Sequence, residues 1–116
     1  MARRKRYFAL NIYQKHLVQF ALQHLEANLD DVNDDLLPVR TPPIREAEVE
    51  AAIKDVGTKT LGNIPVRKRK IISFALSFLS ANLDNVNDLI REVKLPIGVI
   101  DEYDIRLIHD NIDVAF

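Results

Sequence analysis

With 116 residues, 47% of them hydrophobic and 28% charged, and a net charge of −1, the chain fits one globular domain with a buried core. It has no cysteine, which excludes disulfide frameworks, thiolate metal sites and cysteine nucleophiles; its 3 Gly and 5 Pro exclude collagen-like and low-complexity classes. The most apolar stretch, Ile71 to Leu79, is less than half the ~20 residues that a membrane span requires, so no membrane contact is expected.

The chain opens on the basic run Arg3-Arg4-Lys5-Arg6, and its first acidic residue is Glu26. That composition is shared with mitochondrial presequences, but Asn11, Gln14 and Lys15 interrupt any secretory apolar core. The segment also runs directly into a helical pattern and is assigned to the fold. A cytoplasmic setting, or an intracellular or viral assembly, is the expectation.

In that pattern Val18, Leu22, Leu25, Leu29, Val32 and Leu36 follow 4-3-4-3-4 spacing, which predicts one long helix over about 12–36. Asn28, Asp30, Asp31 and Asn33 are poor helix formers, because their side chains compete for backbone hydrogen bonds. A break near Asn28 is therefore the competing reading; the unbroken apolar spacing favours continuity. A shorter helix follows, with Thr41 as expected N-cap and Pro42 in its first turn. Glu46 and Glu48 suit its positive start, Lys54 its negative end, and Gly57 a left-handed stop. After a linker over 58–64, Pro65 opens a second long helix over about 66–93, striped by Ile72, Leu76, Leu79, Leu83, Val86 and Ile90. Asp101 is the expected cap of a fourth helix.

The two long stretches are versions of one sequence. Across Gln19–Leu37 and Ser73–Arg91, eleven of nineteen positions are identical at an offset of 54, including Phe20/Phe74, Ala-Asn-Leu-Asp at 27–30 and 81–84, and Val-Asn-Asp at 32–34 and 86–88. Ordinary usage would give roughly one or two matches. Leu37-Pro38-Val39 recurs as Leu95-Pro96-Ile97. Ile44, Glu46, Val49, Ala52 and Val56 recur as Ile100, Glu102, Ile105, Ile108 and Ile112. The expected fold is all-α: one domain over 1–116, with a first helix-loop-helix repeat at about 8–57 and a second at about 65–116. The four helices are expected to pack with pseudo-twofold symmetry.

The polar residues kept in both copies are Asn28, Asp30, Asn33 and Asp34, with Asn82, Asp84, Asn87 and Asp88. Hard cations want oxygen ligands, so a carboxylate site for a metal-dependent nucleotide hydrolase was weighed. Such a site needs Glu-rich spacing on facing helices, whereas here Asp31-x-x-Asp34 becomes Asn85-x-x-Asp88. A calcium loop fails too, for want of the turn glycine and distal Glu. Capping or partner contact is the reading kept, with no metal and no cofactor.

His16, His24 and His109 lack the helical pairing of metal ligands, and Ser73, Ser77 and Ser80 have no adjacent base in the sequence, so no catalytic residue is assigned. The basic tetrads Arg3-Arg4-Lys5-Arg6 and Arg67-Lys68-Arg69-Lys70 hold 8 of the 16 basic residues and sit where a helix dipole disfavours them. Contact with a polyanion or an acidic partner would account for both. The expected function is a non-enzymatic module in a larger protein or nucleoprotein assembly, acting through its helical faces and basic arm. The alternative is a small nucleic-acid-binding accessory protein, with Tyr7 and Phe8 beside the first tetrad able to stack on bases.

Overall fold

A computed structural model describes residues 10–37, 41–93 and 98–112, and every regular element among them is helical. The order is α1 (Ile12–Ala27), α2 (Leu29–Asp31), a π-helical turn (Val32–Leu36), α3 (Glu46–Thr58), a 3-10 turn (Leu61–Asn63), α4 (Val66–Ala81), α5 (Leu83–Val93) and α6 (Glu102–Ile112). The Arg3–Arg6 run and the prolines at 38 and 96 lie outside the described residues.

Helix α1 begins with a capping box. Asn11 Oδ1 accepts from the Gln14 amide at 2.8 Å, and Gln14 Oε1 accepts from the Asn11 amide at 2.9 Å. It ends at Asn28, and here the expected continuity to residue 36 gives way. Asn28 Nδ2 donates to the His24 carbonyl at 2.8 Å while its backbone turns to φ −115°, ψ 19°. Asn82 repeats this on the Phe78 carbonyl at 2.9 Å, with φ −111°, ψ 15°, and splits the predicted 66–93 helix in the same way. The amide side chain takes a carbonyl of the last turn, so the chain leaves α geometry for one residue. The Asn28 and Asn82 carbonyls then accept from Val32 and Val86 and open the next helix. After the break the halves differ: Leu37 N–H reaches Val32 O in a π turn, whereas α5 stays α-helical to Val93.

Helix α3 starts later than Thr41 and Pro42 suggest. Its N-cap is Arg45, whose amide donates to Glu48 Oε1 at 3.2 Å. The reason lies one residue upstream, where Asn33 takes both backbone groups of Ile44 and holds it out of the helix. Gly57 does not stop α3 either. The helix runs to Thr58, whose hydroxyl covers the Lys54 carbonyl at 3.0 Å. What Gly57 does is leave room, since a Cβ there would lie 3.2 Å from Gln19 Nε2. Asp101 caps α6 as expected, accepting from the Tyr103 amide at 2.9 Å.

Side-chain contacts define how the helices run. Gln19 on α1 donates to the Ile53 carbonyl on α3 at 3.1 Å, and the Glu26 and Glu46 carboxylates meet within 4.8 Å, so α3 runs back along α1. Ser80 and Ser73 on α4 meet Glu102 and His109 on α6, which sets α6 antiparallel to α4. The start of α1 meets the start of α6 through Tyr13 and Asp104, and the start of α4 meets the start of α3 through Arg67 and Glu48. Helices α1 and α4 therefore run in opposite senses at the centre.

Their inner faces make the core. Leu17, Val18, Ala21, Leu22 and Leu25 pack with Ile71, Ile72, Ala75, Leu76 and Leu79, all fully buried, under Val49, Ala52, Val56, Ile105, Ile108 and Ile112. Leu29 and Leu83 pack at the edge of this core, but Leu36 is 50% exposed, so the first apolar stripe stops short of its predicted end. Leu61 and Ile64 from the linker are each 2% exposed and belong to the core.

Candidate functional site

The polar residues common to both halves divide into two kinds. All four asparagines bond to backbone: Asn28 and Asn82 at the helix breaks, Asn33 and Asn87 on the loops beyond. Asn33 donates to the Ile44 carbonyl at 2.9 Å and accepts from the Ile44 amide at 2.8 Å. Asn87 makes the same two bonds to Ile100, at 2.9 and 2.7 Å. The four aspartates, Asp30, Asp34, Asp84 and Asp88, are exposed, and Asp88 pairs with Arg91 at 3.1 Å. With Asn33 and Asn87 turned onto backbone, these residues do not converge as one ligand set.

Three other carboxylates do converge. Glu26, Glu46 and Glu50 bring oxygens within 4.8 Å of one another and could present them to a hard cation. Glu26 Oε2 is buried without a hydrogen-bond partner. Burial, then the charges of Glu50 and Glu46, hold the Glu26 carboxyl above the ordinary carboxylate range. In the second half the matching positions are Ser80, Glu102 and Arg106. There Glu102 accepts from Ser80 at 3.4 Å and pairs with Arg106 at 3.6 Å. The repulsion in the first half is therefore relieved in the second.

The sign of the Glu26 shift gives a test. A folded-state pKa above the unfolded value adds stability below pH ~4.5 that is lost as pH rises through the folded value. Glu26→Gln is thus expected to stabilise the fold at pH 7 by roughly 0.5 kcal/mol, a like-charge increment, and by nothing below pH ~4. Urea melts at the two pH values would read it, and equal gains at both would contradict the assignment.

The second basic tetrad is largely engaged within the fold. Arg67 Nε donates to Glu48 Oε2 at 3.0 Å and its terminal nitrogen reaches the Pro43 carbonyl at 3.2 Å. Hydrogen bonding from Arg67 holds the Glu48 carboxyl below its ordinary range. Lys68 Nζ meets the buried Asp55 at 2.9 Å and lowers its pKa, with Lys59 adding a contact at 3.5 Å. Arg69 is only 9% exposed, and Lys70 is half-buried. Reading the tetrad against its own helix dipole missed these partners, which are tertiary.

Ser73 and Ser77 have a histidine nearby in space, although no base is adjacent to them in the sequence. Their hydroxyls lie 3.0 and 3.1 Å from His109 Nε2. The His109 Nδ1 to Asp110 distance of 3.8 Å is beyond hydrogen-bond range. Both serines sit inside α4, where backbone amides are spent on helix bonds and offer no oxyanion donors. The contact joins α4 to α6 at the place where Gln19 and Ile53 join α1 to α3.

On the outside of the central pair lies an aromatic seam. The His24 and Phe78 rings stack with centroids 5.0 Å apart at 22°. Burial lowers the His24 pKa, and its Nε2 has no hydrogen-bond partner. Phe20 and Phe74 stand one turn earlier on each helix, both half-buried, and His16 and Lys70 one turn earlier again. Phe20 and Phe74 pack against the edge of the core and leave part of each ring open to solvent. Gln23, Ser77, Ala27 and Ala81 complete this outer face, all exposed. None of these residues is acidic.

That local absence reflects a wider segregation of charge. Helices α1 and α4 carry five basic residues against one acidic. The other helical elements carry fourteen acidic residues (Asp30, Asp31, Asp34 and Asp35 among them) against Lys54, Arg91 and Arg106. Among the described residues, no helix is long and apolar enough to cross a membrane. Compared with family models, curated proteins and solved structures, the chain finds no match.

Proposed function

We propose that this chain is a non-enzymatic helical interaction module, built from two related hairpins, that docks a partner on the outer seam of α1 and α4. The duplication is supported by contacts that recur at constant offsets. Asn28 and Asn82 bond back to His24 and Phe78, both pairs 54 apart; Asn33 and Asn87 clasp Ile44 and Ile100, and Gln19 and Ser73 meet Ile53 and His109, so these partners lie 56 apart. Tyr13–Asp104 and Arg67–Glu48 are likewise matched positions, and so are the two stacked rings, His24 and Phe78. These relations support a pseudo-twofold axis passing between the rings.

The observation that carries the docking proposal is the seam itself. It sets Phe20 and Phe74, packed against the edge of the core and only half-buried, next to a stacked His–Phe pair and without acidic neighbours. Aromatic side chains left partly exposed side by side are enriched at interaction sites. Recovery of partners from native lysate tests it, comparing wild type, Phe20→Ser and a form lacking residues 1–6. Binding lost on Phe20→Ser, in a variant with an unchanged circular dichroism melt, supports the seam; identical recovery by all three forms removes it.

A further inference from the structure

No further inference is drawn: the strongest candidate, the cluster of Glu26, Glu46 and Glu50 carboxylates between α1 and α3, is a group of acidic side chains with nothing beside it that points to a bound cation, since Glu26 is only half-buried and Glu46 and Glu50 are exposed.

Discussion

Leu76→Ala is expected to lower the stability of this domain by about 3–5 kcal/mol. Leu76 is fully buried on the inner face of α4, among Leu17, Val18, Leu22 and Leu25 of α1 and the apolar faces of α3 and α6. Truncation removes the transfer energy of three carbons and leaves a cavity that helices fixed by interhelical bonds at both ends cannot close. For a chain of this size that is a large part of a total of roughly 5–15 kcal/mol. The melting temperature should fall by roughly 10–20 °C. Leu89→Ala is the matched control, because Leu89 is 52% exposed on α5 and should change stability by less than about 0.5 kcal/mol. Chemical denaturation of both variants checks the contrast, and similar losses would mean that the core does not lie between α1 and α4.

Asn87→Ala is expected to cost about 2–4 kcal/mol, more than an ordinary hydrogen-bond deletion. The side chain is 8% exposed, and its two bonds, at 2.9 and 2.7 Å, satisfy both backbone groups of Ile100, itself 2% exposed. Alanine leaves a buried amide and a buried carbonyl without partners, which is the expensive case. Asn87→Asp can still accept from the Ile100 amide but turns an anion towards its carbonyl, so it should also destabilise. Asn33→Ala should cost less, since Asn33 is only half-buried while making the same pair of bonds. Amide hydrogen exchange at Ile100 offers a local readout. Retained protection in Asn87→Ala would show that water or another group replaces the side chain.

Much of the architecture could be read from the residues, because the apolar stripes recur at helical spacing twice over. Leu22, Leu76, Val32 and Val86 are buried as the 4-3-4 pattern requires, and Asp101 caps α6 as its position suggests. The breaks at Asn28 and Asn82 were visible as composition but outweighed by periodicity. A one-residue interruption preserves the apolar register, so the stripe cannot report it. The linker was misread for a different reason. Leu61 and Ile64 are isolated apolar residues with no period, and only the fold shows that a 3-10 turn tucks them into the core. The basic tetrad was read against its own helix, although Glu48 and Asp55, which neutralise Arg67 and Lys68, come from another element. The seam was least legible of all. Phe20 and Phe74 count as apolar in any sequence tally, and only the fold shows that they sit half-buried at the edge of the core.

The amide clasps on Ile44 and Ile100 have a consequence for how such a chain can change over time. In the first half the clasp spans 11 residues, and in the second 13. The following helix starts beside the clasp in each case, whatever the length of the strap between. Connector length is thereby uncoupled from helix placement: the two connectors differ by two residues, yet in both halves the next helix starts two residues past the clasped isoleucine, at Glu46 and at Glu102.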